Sequence, residues 1–168
     1  MSMPAQSPGS SKQDYETPQE FLDACAKRFG ALTIDLACRT DNAKAPRGYY
    51  FDQGCNSLVQ PWARDIAEGV GWLNPEFGDI DAWAKKASGE SEILTRGRIL
   101  MLTPASIGTN WFADHVHRKA YVLGLSPRMI FRGMKPNPKT GKVDPYPKDL
   151  MLSVFGGDVT GFGVWRWK

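Results

Sequence analysis

The sequence of 168 residues contains few cysteines and histidines, the residues on which disulfide-linked and zinc-binding proteins depend. It has three cysteines, no C-x-x-C pair and two histidines, so it predicts neither a disulfide framework nor a zinc site. The two histidines, His115 and His117, are two positions apart on a predicted helix and therefore face different directions, which disfavours a metal pair. We accordingly expect no bound metal and a reduced, cytoplasmic protein.

Long apolar runs are also missing, so the sequence predicts no membrane-spanning segment. Residues 1–14 are small and polar, without the hydrophobic core of a signal peptide, and are expected to form a disordered tail. A hydrophobic content of 42% is enough for one core, so residues 15–168 are predicted to form a single domain. The net charge of +3 is compatible with nucleic-acid binding but does not require it.

Helical and strand patterns alternate along this domain, which is typical of an α/β fold with a largely parallel sheet. Thr17 is predicted to cap the first helix, with Pro18 at its first position. A basic, proline-rich stretch at 126–150 is predicted to be a loop. The predicted helices are Gln19–Phe29, Ile80–Ala87 and Trp111–Tyr121, and the predicted strands are Leu32–Leu36, Val70–Leu73, Arg98–Leu102, Met129–Arg132, Met151–Phe155 and Val164–Trp167.

The segment Asn74-Pro75-Glu76-Phe77 directly follows the apolar run Val70–Leu73. A strand there would deliver Asn74 to the carboxyl edge of the sheet, where α/β proteins bind ligands. The side-chain oxygen of Asn74 and the carbonyl of Pro75 could each accept one hydrogen from an exocyclic amine, and Phe77 could stack on its ring. Asn-Pro is also an ordinary turn dipeptide, so this motif alone does not decide between the two interpretations.

Three motifs, the last of which lies in this loop, stand in the same order as those of amino-group DNA methyltransferases. They are Tyr15-x-Thr17-Pro18, Asp35-x-Ala37-Cys38 and Asn74-Pro75-x-Phe77. More narrowly, the stretch from Tyr15 to Phe155 resembles the phage-encoded DNA N-6-adenine methyltransferases, the phage Dam-like family. The resemblance implies an S-adenosylmethionine-dependent methyltransferase fold of the Rossmann-like kind, an α/β three-layer sandwich around a mixed, mostly parallel sheet. It also implies site-specific methyl transfer from S-adenosylmethionine to the amine of a flipped adenine in double-stranded DNA, at GATC or a related short site.

The resemblance divides the candidate site residues into three groups. The catalytic candidates are Asn74, Pro75 and Phe77. Asp35 is expected to meet the ammonium of the cofactor, and the full set of cofactor-binding candidates is Tyr15, Thr17, Pro18, Asp35, Ala37, Cys38, Asp52 and Asn56. The DNA-binding candidates are Lys44, Arg47, Trp111, Arg132 and Lys135.

Two departures from the family pattern keep a second function open. Glu76 stands where the family has a proline, and Arg39-Thr40-Asp41 stands where methyltransferases usually have glycines. A relative that binds DNA or cofactor with weakened or lost turnover is therefore an alternative. Methylation of RNA adenine or of cytosine N4 shares the same chemistry and also stays open. Because the chain is small, recognition of the DNA sequence is expected to depend on the loop at 126–150 or on a second subunit, as in a homodimer. The family resemblance also implies a phage or prophage protein in the bacterial cytoplasm.

Overall fold

The computed structural model describes residues 16–39, 41–45 and 50–168. The predicted tail at 1–14 and two candidate site residues, Tyr15 and Arg47, lie outside these ranges. The helices are α1 (Gln19–Phe29), α2 (Trp62–Ile66), α3 (Ile80–Ser91) and α4 (Asn110–His115), and short 3₁₀ helices cover Gln53–Cys55, Ser57–Val59 and Phe77–Asp79. The strands are β1 (Leu32–Asp35), β2 (Val70–Leu73), β3 (Arg98–Pro104), β4 (Ala120–Ser126), β5 (Leu150–Phe155) and β6 (Gly161–Arg166).

Within the described residues the strands form a six-stranded mixed sheet in the order β1-β2-β3-β5-β4-β6. The pairs β1–β2, β2–β3 and β4–β6 are parallel. The pairs β3–β5 and β4–β5 are antiparallel, so β5 runs against its two neighbours. Because β1 and β2 are parallel, the loops that follow them leave the sheet at the same edge. The chain is thus a mixed α/β protein, as the alternation of patterns predicts.

Both faces of the sheet are covered by helices. Alternate residues of β3 enter opposite cores, with Leu100 and Leu102 in one and Ile99 and Met101 in the other. Apolar residues of α1 fill the first core, and those of α2, α3 and α4 fill the second. Gly71 of β2 allows α2 to approach closely, because a Cβ there would lie 2.9 Å from a side-chain carbon of Ile66. No helix in the described ranges has the length and apolar character needed to cross a membrane.

The prediction that Met129–Arg132 forms a strand is wrong. Met129 and Phe131 are buried while Ile130 and Arg132 are exposed, which is the alternation of a strand. Its main chain nevertheless pairs with described residues only in one antiparallel bridge, between Glu16 and Arg132, and in one hydrogen bond from the Tyr146 amide to the Met129 carbonyl. This segment alternates because its apolar side chains dock on the first core, although no described strand lies beside it. Residues 127–149 therefore connect β4 to β5 without a helix or a strand.

The predicted helix Trp111–Tyr121 is also wrong over its second half. Helix α4 ends at His115, and β4 begins at Ala120. Between them Arg118 adopts a left-handed conformation with φ of 62°, which interrupts helical geometry. Apolar residues at 116, 120, 122 and 123 fit both helical and strand spacing, so periodicity could not separate the two elements. The last strand, predicted at Val164–Trp167, begins three residues earlier, at Gly161.

Candidate active site

A cavity of about 560 Å³ opens where β1 and β2 end. Its volume lies in the range of sites that hold a small ligand or a cofactor. Asp35 at the end of β1 and Asn74 directly after β2 both line it, because the two parallel strands pair with Asp35 opposite Trp72. The site therefore occupies the strand edge at which α/β proteins bind their ligands.

The Asp35 carboxylate organises the loop that follows β1. Its Oδ1 accepts a hydrogen bond from the Ala37 amide at 3.2 Å, and its Oδ2 accepts one from the Lys44 amide at 2.8 Å. The main-chain oxygen of Asp35 accepts from the Phe51 amide at 2.9 Å. Burial raises the pKa of Asp35 to about 6, against the opposing effect of the two amide hydrogen bonds. One buried carboxylate thus holds both ends of the cavity wall between Ala37 and Lys44.

The stretch from Asp52 to Ser57 forms a further part of the wall. Asp52 accepts from the Gly54 amide at 3.0 Å and so caps the first 3₁₀ helix. Asn56 adopts a left-handed conformation, with φ of 42° and ψ of 73°, between two 3₁₀ helices. Ser57 is buried and donates to the Leu36 carbonyl, which ties this stretch to the end of β1. Asp52, Asn56 and Ser57 all line the cavity.

The Asn74 loop is held by the residue that was predicted to cap α1. The Asn74 Nδ2 donates to Thr17 Oγ1 at 3.3 Å, and both residues line the cavity. The helix cap is Pro18, which is buried, so the prediction of a Thr17 cap is wrong by one residue. Thr17 is 2% exposed, and its hydroxyl turns towards Asn74 instead of the first helical amides. With Nδ2 engaged by Thr17, the Asn74 Oδ1 has no hydrogen-bond partner among the described residues.

The remaining residues of this loop differ in their burial and in whether they line the cavity. Glu76 is exposed and contributes to the cavity lining, as does Gly78. Pro75 is buried and Phe77 is half-buried, and neither side chain is part of the wall. The loop ends in the short 3₁₀ helix Phe77–Asp79, which leads directly into α3.

Aromatic side chains close the apolar side of the cavity. Trp72, Trp83 and Phe51 contribute to its wall. Trp83 stacks on the buried Trp62 with ring centroids 6.1 Å apart and an interplanar angle of 20°. These rings were not predicted from the sequence. The place of Trp83 at the site could have been predicted from the sequence, because it lies in the first turns of the helix that follows the Asn-Pro loop.

The cavity lining includes two charged residues, of which one was predicted to bind DNA and the other was not predicted to belong to the site. Lys44, a DNA-binding candidate, lines the cavity, and its Nζ lies 3.0 Å from Glu16 Oε2. Glu16, which was not predicted from the sequence, also pairs through its main chain with Arg132. This bridge brings the basic segment 127–149 to the rim of the cavity. Arg132 and Lys135 are exposed on that segment, whereas Trp111 is half-buried and packs against Phe112, away from the cavity wall.

Cys38 lines the cavity as a thiol. Burial raises its pKa to about 12, and the neighbouring carboxylates of Asp35 and Asp52 act in the same direction. A thiolate is therefore disfavoured at neutral pH, so Cys38 is not an activated nucleophile. No group of three or more potential ligands that could hold a metal ion occurs within the described ranges. His115 Nε2 lies 3.6 Å from Asp81 Oδ1, and His117 is exposed.

A nucleoside-sized cavity at the carboxyl ends of parallel strands, with a carboxylate after one strand and an Asn-Pro loop after the next, is the arrangement of α/β proteins that bind nucleotide-like ligands. Within that class, the chain belongs to the family described as DNA N-6-adenine-methyltransferase (Dam), whose model matches residues 5–155. The resemblance drawn from the motifs is thereby confirmed.

The chain is similar to a DNA N-6-adenine-methyltransferase of Escherichia phage T1, with 26% identity over 118 residues. The matched region covers 70% of this chain and 47% of that relative. The chain therefore spans about half the length of the curated relative that it matches.

Proposed function

We propose that the chain transfers a methyl group from S-adenosylmethionine to N6 of adenine in double-stranded DNA. The observation that carries the proposal is the shared cavity. Residues from the cofactor motifs and Asn74 from the catalytic loop line one space, and Thr17 joins the two by a hydrogen bond. We also propose that the mixed α/β architecture is a Rossmann-like three-layer methyltransferase fold with a mostly parallel sheet.

The cavity fits the proposed cofactor in its volume and in the chemistry of its lining residues. Asp35 offers a carboxylate to the ammonium of the methionine part, with Thr17, Ala37 and Cys38 beside it. Asp52 and Asn56 offer oxygen atoms to ribose hydroxyls, and the faces of Phe51 and Trp83 offer an apolar surface to the adenine ring. Tyr15 and Pro18, the other members of the predicted cofactor set, keep the role that the family resemblance implies.

When bound, S-adenosylmethionine supplies a methyl group that is already activated as a sulfonium. The chain must then align the target amine and stabilise the charge that develops on it. The Asn74 Oδ1 and the Pro75 carbonyl accept the two hydrogens of the amine, which favours a pyramidal nitrogen and stabilises its positive charge. Phe77, which is half-buried between the lining residues Glu76 and Gly78, is proposed to stack on the flipped adenine and to offset about 1–3 kcal/mol of the unstacking cost.

DNA reaches this cavity along the basic segment in the proposed complex. The Glu16–Arg132 bridge places that segment at the rim, and Arg132 and Lys135 are exposed there. Phosphate contacts from such cations would supply most of the salt-dependent affinity. Lys44 and Arg47 complete the proposed basic surface, although a phosphate would have to compete with Glu16 for Lys44. Trp111 is proposed as support for DNA beyond the cavity, because it does not line the wall.

The experiment that tests the proposal has two stages. Calorimetry with S-adenosylmethionine is expected to show binding of one molecule per chain. Tritium from labelled cofactor is then expected to enter unmethylated duplex DNA as N6-methyladenine, at GATC or a related site identified by sequencing the modified bases. Label in RNA or in cytosine N4 would contradict the adenine-in-DNA assignment. In this proposal the protein acts in the cytoplasm of a bacterial host that carries the phage or prophage.

Glu76 favours a second candidate function, a relative that binds cofactor with reduced turnover. Its carboxylate is exposed at the cavity mouth, where it can repel the phosphates of an approaching duplex. The substitution Glu76→Pro removes the charge. It also reduces the conformational freedom of the loop in the unfolded chain, which raises the free energy of unfolding by about 0.4–1 kcal/mol.

We expect this variant to raise the rate of methyl transfer severalfold with cofactor affinity unchanged. The control is Glu92→Gln, which removes a negative charge at an exposed site outside the cavity. Glutamine is used there because a proline would perturb the end of α3. Equal rates for wild type and Glu76→Pro would count against this role of the carboxylate.

A further inference from the structure

Thr17 is buried, yet its hydroxyl does not cap the helix that follows it. Only 2% of the residue is exposed, and α1 begins after Pro18 without a side-chain hydrogen bond to its first turn. Burying a hydroxyl is unfavourable unless it takes part in a hydrogen bond. The described partner of Thr17 Oγ1 is the Nδ2 of Asn74, at 3.3 Å. The hydroxyl is therefore directed at the Asn74 loop.

The main chain on both sides of Thr17 is held in place. The Glu16 amide donates to the Arg132 carbonyl at 3.2 Å, and the Arg132 amide donates to the Glu16 carbonyl at 2.9 Å. On the other side, the Pro18 carbonyl accepts from the Phe21 amide at 3.1 Å in the first turn of α1. Threonine is also β-branched, so its side chain has few rotamers. These restraints give Oγ1 a fixed position from which to hold a neighbouring side chain.

The direction of the Asn74 amide decides what this side chain offers to the cavity. With Nδ2 donating to Thr17, the other end of the amide, Oδ1, is left as an acceptor. If the amide were turned round, Nδ2 would take its place and would present donors. Only the first arrangement can accept a hydrogen from an amine. The contact with Thr17 thus bears directly on the chemistry assigned to Asn74.

We propose that Thr17 is a positioning residue, whose hydroxyl holds the Asn74 amide with Oδ1 available to the target amine. The inference rests on the proposed methyl transfer. It goes further because Thr17 then acts through Asn74, whereas the family resemblance places it among the cofactor-binding residues. An acceptor that is oriented before the substrate arrives does not have to be oriented during the reaction.

Replacing the hydroxyl with a methyl group tests this role. Thr17→Val keeps the shape of the side chain, and we expect turnover on duplex DNA at saturating S-adenosylmethionine to fall by about tenfold. Thr17→Ser keeps the hydroxyl and should stay within about threefold of wild type. Calorimetry should show cofactor affinity within about threefold of wild type for both variants. Circular dichroism establishes that each variant is folded.

Thr103→Val is the matched control. It makes the same change at a residue that is 0% exposed and outside the cavity wall. The Thr103 hydroxyl has no hydrogen-bond partner within the described residues, so its loss removes no contact. This variant should keep full activity.

A double variant shows whether Thr17 acts through Asn74. Adding Thr17→Val to Asn74→Ala should change turnover by less than about twofold, because no amide is left to hold. If the two residues acted independently, the double variant would be about tenfold slower than Asn74→Ala. That result would contradict a positioning role.

Nuclear magnetic resonance tests the contact without turnover. The signals of the Asn74 side-chain amide are identified in an isotope-labelled chain by their loss in Asn74→Ala. In wild type and in Thr17→Ser, one of the two amide hydrogens should be protected from exchange with solvent by its hydrogen bond to the hydroxyl. In Thr17→Val its exchange should be about tenfold faster.

Three further results would overturn the proposal. If Thr17→Val weakened cofactor binding by about tenfold and left turnover at saturating cofactor unchanged, the hydroxyl would be a cofactor ligand. Equal losses of turnover in Thr17→Val and Thr17→Ser would assign the effect to packing. Unchanged hydrogen exchange in Thr17→Val would show that the hydroxyl does not hold the amide. A wild-type chain without methyl transfer would refute the proposed function instead, and the exchange measurement alone would then decide whether Thr17 holds Asn74.

Discussion

The two ends of the sheet are stabilised in different ways. At the cavity end, a few polar side chains hold the loops, with Asp35 binding the amides of Ala37 and Lys44 and Ser57 binding the Leu36 carbonyl. At the other end, β3, β5, β4 and β6 pair over long regular stretches, and buried side chains of β3, β4 and β5 pack in both cores. Geometry at the cavity therefore depends on single residues, whereas the rest of the sheet depends on many contacts that support one another.

Asp35→Asn is the variant expected to separate the two ends most strongly. It removes the negative charge and turns one acceptor oxygen into a donor that faces a main-chain amide. Because hydrogen bonds to charged groups contribute about 1.5–3 kcal/mol, we expect cofactor affinity to fall by about tenfold or more. Calorimetry measures the affinity, and Asp65→Asn, at a carboxylate outside the cavity, is the matched control. Unchanged cofactor affinity in Asp35→Asn would refute this role.

The pH dependence gives the same substitution an independent readout. The pKa of Asp35 is raised from 3.8 to about 6, so the folded state favours the protonated carboxyl. Its contribution to the free energy of unfolding is fully present below about pH 4 and is lost as the pH rises through about 6. Cofactor affinity has the opposite dependence, because the ionised carboxylate attracts the ammonium and forms as the pH rises. We expect affinity to weaken below pH 6 in wild type and to lose this dependence in Asp35→Asn.

Arg132→Ala tests whether the basic segment serves the cavity to which its main chain is joined. Losing one phosphate contact should lower the slope of log affinity against log salt by about 0.9 and weaken DNA binding severalfold at moderate salt. Cofactor affinity should not change, since the side chain is exposed outside the cavity wall. Arg96→Ala is the control, because Arg96 is equally basic and exposed but precedes β3, at the opposite edge of the sheet. Equal salt slopes for the two variants would contradict the proposed DNA surface.

Ala67→Gly is expected to have the smallest effect, on stability alone. Ala67 ends α2 with φ of 51° and ψ of −113°, a conformation that glycine adopts far more readily. We expect the free energy of unfolding to rise by about 1 kcal/mol, with cofactor affinity unchanged. Ala113→Gly, at an exposed position of helix α4, should instead lower it by about 0.5–1 kcal/mol. Chemical denaturation measures both, and a destabilised Ala67→Gly variant would show that the conformation is not strained.

Much of the fold could be predicted where one pattern dominates locally. The predicted Gln19–Phe29 and Val70–Leu73 match α1 and β2, since a helical apolar stripe and a short buried run each have one interpretation. Prediction failed where two patterns overlap. The segment Met129–Arg132 alternates like a strand but has no strand beside it, and the boundary between α4 and β4 depends on the conformation of Arg118. Neither fact is visible in the local sequence.

The candidate site could be predicted as far as its motifs extend. Thr17, Asp35 and Asn74 are distant in sequence. The structure brings Asp35 and Asn74 to one cavity because β1 and β2 are parallel neighbours, and Thr17 joins them there by its hydrogen bond with Asn74. The roles given to these residues stay predictions. The aromatic wall was missed because Trp72, Trp83 and Phe51 look like ordinary core residues until tertiary packing turns them to the cavity. Glu16 was missed because its contacts, with Lys44 and Arg132, are with residues distant in sequence.

The most direct measurement is the transfer of tritium to unmethylated duplex DNA by Asn74→Ala at saturating cofactor. If the Asn74 oxygen stabilises the charge developing on the adenine amine, turnover should fall by about 10²–10³. Cofactor affinity should stay within about twofold of wild type, and Asn110→Ala, at an exposed asparagine outside the cavity, should keep full activity. Turnover by Asn74→Ala equal to that of Asn110→Ala would contradict the account.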